Sequence, residues 1–218
     1  MPRKNLREVG GRPMVVHAIE HARRASCITR VILTTDDSEI AEVGRAAGAE
    51  VPFLRPSEFA QDLSSDYEFV HHALTWLRDN ERYTPDLVVQ LRPTTPLRDI
   101  GLIDRAIRQM AKRPDADSLR AVTAACFSPY KMWRLSDSGF LSALLSIPGI
   151  DEPYNQARQM LPTVYQQDGF IDITRPTTIF GKKSLTGDTI LPFFLDSESI
   201  DIDYESELVE ANRRMRGE

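Results

Sequence analysis

Residues 30–51 read RVILTTDDSEIAEVGRAAGAEV, and this stretch decides the fold class. Val31 to Thr35 form a short apolar, β-branched run, which predicts a strand. Carboxylates at positions 36, 37 and 39 open the next segment and Gly48 stands near its end, the start and stop signals of a helix. The brief run VPFL at 51–54 then predicts another strand.

Working outward, the rhythm repeats. PMVVHAIEHARRA at 13–25 places Val16, Ile19 and Ala22 at helical spacing. Residues 65–80 carry Phe69, Ala73, Leu74 and Leu77 on one helical face, and DLVVQL at 86–91 is a nearly unbroken apolar strand. Residues 100–111 read as an amphipathic helix and LRAVTAAC, at 119–126, as a strand. Such alternation predicts an α/β fold, a doubly wound, mostly parallel sheet with helices on both faces. From about 127 to 165 the rhythm lapses into a stretch dotted with Pro, Gly and aromatics, read as an insert or arm on a single domain spanning 1–218. A strand at GFIDITR, an extended ILPFFLD and a strand–helix unit, SIDIDYESELVEANRRM, close the chain.

The 218 residues suit one medium domain, and 41% hydrophobic with 27% charged residues is an ordinary globular composition. A net charge of −5 argues against binding nucleic acid through a basic surface. No run of 18 apolar residues occurs and the N-terminus lacks a signal-peptide core, so a cytoplasmic protein without membrane contact is expected. Cys27 and Cys126 have no metal-site spacing and are expected to be buried free thiols.

Four features offer chemistry. In ESIDIDYESEL, Ile200 and Ile202 alternate with Asp201 and Asp203, so in a strand the two carboxylates share one face, roughly 6.5–7 Å apart. Such a pair can hold magnesium when substrate phosphates complete the octahedron; the alternative is a solvated face with Asp203 capping the following helix. LRPTTPLRD at 91–99 follows a buried strand, where open parallel sheets bind ligands, and Arg92 and Arg98 can fork onto a carboxylate or phosphate. RQMLPTVYQQDG at 158–169 offers a possible binding loop, and Asp36 a ligand contact or a helix cap. His71 and His72, adjacent on a helix, point different ways and are read as structural. The opening MPRKNLREVGGRP gathers Arg3, Lys4, Arg7 and Arg12, which could steady a polyphosphate or form a solvated basic end.

Taken in order, PRKN, GRPMVVHAI, the 30–51 stretch, LRPSEF, LRPTTPLRD, RQMLP, DGFIDI and SIDIDYESEL resemble the CMP-sialic acid synthetases, or acylneuraminate cytidylyltransferases, over nearly the whole chain. The resemblance implies a Rossmann-like nucleotidyltransferase fold that transfers CMP from CTP to a nonulosonic acid, with Mg²⁺, releasing pyrophosphate. It places Lys4 and Asn5 at the triphosphate and nucleotide, Arg55 and Ser65 in the CTP site, and Asp201 and Asp203 at the metal, where they also help deprotonate the attacking hydroxyl. The sugar pocket falls to Arg92, Thr94, Thr95, Arg158 and Asp168, and the 127–165 insert to a homodimer contact. Arg92 stands where sialic acid enzymes commonly have Gln, and Asp168 where Asn is usual, which leaves open legionaminate or another nonulosonic acid. Family members carry an apolar strand and a Gly-rich loop ahead of PRKN. The resemblance therefore implies that these 218 residues make a sheet short of its central strand, with little turnover, the start having been assigned too late. A cytidylyltransferase for Kdo and a non-catalytic sugar- or nucleotide-binding homologue are the alternatives.

Overall fold

A computed structural model describes residues 1, 3–61 and 63–217. A short hairpin, β1 (Glu8–Val9) and β2 (Arg12–Pro13), leads into α1 (Met14–Arg24), whose Val15, Ile19 and Ala22 turn inward. Helix α2 (Ser38–Ala46) starts where the Asp37 carboxylate accepts the N–H groups of Glu39 and Ile40, at 2.8 and 3.2 Å. It stops before Gly48, whose φ of +91° is a turn that a side chain would strain.

Helix α3 (Asp66–Glu81) begins with a capping box in which Ser65 N–H donates to Glu68 at 2.8 Å. Strand β3 (Val88–Gln90) follows, and then α4 (Ile100–Ala111), with Asp99 accepting Gly101 N–H at its head. Strand β4 (Ser118–Ala124), the small hairpin β5 (Trp133–Leu135) and β6 (Leu141–Ala143), β7 (Tyr165–Thr174), α5 (Pro176–Lys182), β8 (Ile190–Phe194) and α6 (Glu205–Arg216) complete the chain.

The main sheet has the order β3-β7-β4-β8. Strands β3, β4 and β8 run one way, and β7 lies antiparallel between β3 and β4. Helices cover both faces, as β3 itself shows. Val89 packs with Ile103, Ile107 and Met110 of α4, whereas its neighbour Val88 packs with Val70 and Leu74 of α3 and Ile179 of α5. The doubly wound arrangement is thus present, with one reversed strand that the apolar pattern does not reveal. Between Arg120 and Val122 the partner on β7 jumps from Asp172 to Gln167, so residues 168–171 swell out of the ladder as a bulge.

Two expected strands differ. Of Val31–Thr35 only Ile32 pairs, in a single parallel bridge to Glu50, and VPFL forms no strand. With one short partner the run cannot build a ladder, whatever its β propensity. The segment 199–203 also lacks strand pairing, yet its alternation holds: Ile202 is wholly buried while Asp201 and Asp203 are exposed. Ile202 joins Val9, Met14, Leu208 and Ala211 in a small core that ties the first hairpin to α6. Asn212 reinforces that tie, accepting Gly10 N–H at 2.9 Å and donating to the Glu8 carbonyl at 3.3 Å. The thiols depart from expectation as well: Cys27 is half-buried and Cys126 exposed, at the loop that leads into the arm.

Candidate active site

The carboxyl ends of β3 and β4 and the amino end of β7 meet along one edge of the sheet, and the loop 91–99 crosses that edge. Arg98 holds the loop in place. Its guanidinium is buried and donates to four carbonyls: Arg92 at 2.8 Å, Thr95, Gly169 at 3.1 Å and Phe170 at 2.6 Å. Burial pushes its pKa down to about 9, against the attraction of Asp201 and Asp168. Arg98 is therefore not available to fork onto a ligand, because its donors are taken by backbone.

Thr95 is wholly buried and donates to the Gly169 carbonyl at 3.1 Å, so it faces β7 rather than open space. Asp168, also buried, accepts Phe170 N–H and Ser199 N–H at 2.9 Å each. Both its oxygens are engaged in fastening the bulge of β7 to the acidic segment. Both side chains are thus engaged within the protein, tying the loop and the acidic segment to the bulge of β7. Ile202 N–H donates to the Thr94 carbonyl at 2.8 Å, which sets Asp201 and Asp203 beside the loop.

Lys4 reaches the same place, with Nζ 2.8 Å from Asp203 Oδ1. Asn5 shares its one-turn helix, Lys4–Leu6. The other cations of the basic start are each paired: Arg3 with Glu39 and Asp37, Arg7 with Glu205 at 2.5 Å, and Arg12 with Glu20 at 2.7 Å. Lys4 is the one of the four that is linked to the acidic pair.

Arg92 leads into a second cluster. Its Nη1 lies 2.6 Å from Asp172 and its Nη2 2.6 Å from Asp66. Asp66 begins α3 beside Ser65, whose side chain serves the helix cap. Burial disfavours the Arg92 charge, but Asp172 and Asp66 overcome it and hold the pKa above its ordinary value. Arg55 stands against the next turn of α3, over the ring of Phe69 and 3.3 Å from Asp36. Its Nε is buried without a hydrogen-bond partner, a donor left for a ligand or a water.

Arg158 belongs to a different neighbourhood at the root of the arm. It donates to the Ala125 and Cys126 carbonyls at 3.2 and 2.9 Å. It lines two small cavities, of about 160 Å³ beside Leu161 and Val164 and of about 270 Å³ beside Phe127 and Lys131. Since Ala125 follows β4, this neighbourhood also lies at the carboxyl end of that strand.

Asp172, Arg120 and Asp66 were not among the expected site residues. A signal for the first two was present: each is a charge set in an otherwise apolar strand, FIDIT and LRAVT. Gly169 was likewise passed over. A Cβ there would come 2.8 Å from Thr95 Oγ1 and 3.0 Å from Asp201 Oδ2, so only glycine lets the bulge, the loop and the acidic segment meet without displacement.

The sheet order, the crossing loop and the acidic segment define a nucleotidyltransferase fold. A solved CMP:2-keto-3-deoxy-manno-octonic acid synthetase complexed with CTP matches with a TM-score of 0.72 at 15% identity, covering 100% of this chain and 93% of that one. The chain belongs to the cytidylyltransferase family, whose model matches residues 1–138. It is 28% identical over 205 residues to the CMP-N,N'-diacetyllegionaminic acid synthase of Legionella pneumophila, covering 93% of this chain and 85% of the relative. It is also 28% identical over 201 residues to the N-acylneuraminate cytidylyltransferase of Escherichia coli, covering 92% of this chain but 45% of that longer protein.

Proposed function

We propose that the protein is a CTP-dependent cytidylyltransferase that activates a nonulosonic acid to its CMP-sugar and releases pyrophosphate. The observation that carries this reading is the convergence of Lys4, Asp201 and Asp203 beside the loop 91–99, at the edge where such sheets bind ligands. The activities named for the relatives support it.

In this reading Lys4, Asn5, Arg55 and Ser65 receive CTP, and Arg92, Thr94, Thr95, Arg158 and Asp168 form or support the acid pocket. Among the described residues the Asp201 carboxylate makes no hydrogen bond or ion pair, being attracted only through space by Arg98, and the Asp203 carboxylate pairs with Lys4 alone. Two exposed carboxylates suit Mg²⁺, which accepts few protein ligands when phosphates supply the rest. Among the described residues no larger group of His, Cys, Asp or Glu competes for it. When bound, the ion would neutralise charge on the phosphates. The chain's own part is placement: Lys4 sets a cation beside the triphosphate, and the loop holds the acid's C2 hydroxyl in line with the α-phosphorus. The hydroxyl oxygen bonds to that phosphorus, pyrophosphate departs, and a carboxylate of the acidic pair takes the proton.

The arm is read as a homodimer contact within one domain. Phe127, Leu135, Phe140 and Leu141 on it are all exposed, and Trp133 packs on Tyr154 within it, ring centres 4.4 Å apart. The proposed location is the cytoplasm; no helix among the described residues is long and apolar enough to cross a membrane.

The test is pyrophosphate release from CTP with N-acetylneuraminate, N,N'-diacetyllegionaminate, pseudaminate and Kdo, with Mg²⁺ and with EDTA. Release that needs one of the first three acids and stops with EDTA is expected; release with none of the four would overturn the reading.

A further inference from the structure

On the face of the sheet that α3 covers, polar side chains stand in a row in register. Gln90 on β3 faces Asp172 on β7, which faces Arg120 on β4. Asp172 is buried, and each of its oxygens is held by a different guanidinium: Oδ1 by Arg120 Nε at 2.9 Å and Oδ2 by Arg92 Nη1 at 2.6 Å. Arg120 is steadied further by Gln167 at 3.0 Å. Two cations are thereby fixed side by side on one buried anion, each retaining N–H groups that bond nothing else among the described residues. Both remain about a quarter exposed, so they border open space.

The fourth charge is placed differently. Asp66 is 43% exposed, accepts the outer edge of Arg92 at 2.6 Å and takes a second bond from Gln90 at 3.0 Å. A half-exposed carboxylate thus lies against one of the two guanidiniums, with the geometry of an anion bound to it.

This inference rests on the acid-activating reading above and names the group that selects the acid. We propose that Arg92 and Arg120, locked by Asp172, receive the carboxylate of the 2-keto acid substrate, and that Asp66 holds that place until the substrate arrives. Planar guanidiniums match a carboxylate through paired hydrogen bonds, which a glutamine at position 92 could not provide. Arg120 is thus an acid-binding residue, and Asp172 a positioning residue that acts through both arginines.

The test measures binding of CTP and of the acid separately, by calorimetry, using N-acetylneuraminate, N,N'-diacetyllegionaminate and the C1 carboxamide of each. Arg120→Gln should weaken acid binding at least about tenfold, the loss of a charge-assisted hydrogen bond, and leave CTP binding unchanged. Arg120→Lys should recover part of that loss. Asp66→Asn should act in the opposite direction, tightening acid binding about two- to fivefold as a half-exposed competing ion pair is removed. The carboxamides should bind more weakly than the acids and be indifferent to Arg120→Gln. A purely structural network would make Asp66→Asn neutral or harmful, and that result, or unchanged acid binding in Arg120→Gln, would overturn the inference. If the unaltered protein binds CTP but neither acid, the inference falls alone; if it binds no CTP and releases no pyrophosphate, the proposed function falls and this inference with it.

Discussion

Alanine at position 169 adds one methyl group at the most crowded point of the site. Its Cβ would lie 2.8 Å from Thr95 Oγ1 and 3.0 Å from Asp201 Oδ2. Thr95 has no free space, and rotating its hydroxyl away breaks the bond to the Gly169 carbonyl. Asp201, being exposed, gives way more easily. Overpacking of this kind costs about 1–3 kcal/mol. Gly169 is not among the glycines with positive φ, so alanine suits its backbone and stiffens the unfolded chain, which offsets about 0.4–1 kcal/mol. The balance is a loss of about 0.5–2 kcal/mol, and each kcal/mol lowers the melting temperature of a chain this size by about 2–4 °C. The larger effect falls on catalysis. A displacement near 1 Å of a group that must meet the reacting centre lowers turnover about a hundredfold, so a smaller shift of Asp201 should lower kcat about ten- to a hundredfold. Urea denaturation, Mn²⁺ binding by calorimetry and pyrophosphate release measure the three consequences. A Gly169→Ala protein that loses stability but keeps its Mn²⁺ affinity and kcat would refute the claim that Asp201 works from the position seen here.

Three further outcomes are expected. Asp168→Asn keeps one acceptor and turns an NH₂ toward Ser199 N–H or Phe170 N–H, so stability in urea should fall by about 1–3 kcal/mol. Leu141→Asp on the exposed arm should leave monomer stability within about 0.5 kcal/mol and abolish the proposed homodimer, so that light scattering finds a dimer in the unaltered protein and a monomer in the variant. Asp104 accepts the Ser26 hydroxyl, and that bond, with the N–H groups of Cys27 and Ser26 working against partial burial, holds its carboxyl down at about 2. Because the unfolded value is about 3.9, its stabilisation is complete above that pH and is lost as pH falls through about 2. Asp104→Asn should therefore flatten the decline of the urea midpoint between about pH 4 and pH 2, measured beside the unaltered protein.

Most helices were legible because caps and apolar spacing are local signals: Asp37, Ser65 and Asp99 all start helices where the pattern predicts, whereas the short α5, with no such side-chain cap, was not legible. The direction of β7 was not, since alternation along GFIDITR is the same read either way. The run Val31–Thr35 shows the converse limit: β propensity without a neighbour yields one bridge. At the site, Asp201 and Asp203 could be read together because one buried isoleucine between them forces both outward, strand or not. Arg92 and Arg98 could not be told apart, lying in one loop with similar flanks. Only tertiary packing buries one against carbonyls and leaves the other at an open edge. Arg120 and Asp172 are 52 residues apart, and strand register alone makes them neighbours.

The four carbonyls gathered by Arg98 come from both the crossing loop and the bulge of β7. The two segments consequently form one transplantable unit. A loop 91–99 grafted from a relative to change the accepted acid would bring its own arginine to a foreign bulge, and any misfit would leave a buried cation without acceptors. Exchanges that carry residues 91–99 and 168–170 together should retain a folded site, whereas exchanging either alone should produce insoluble protein.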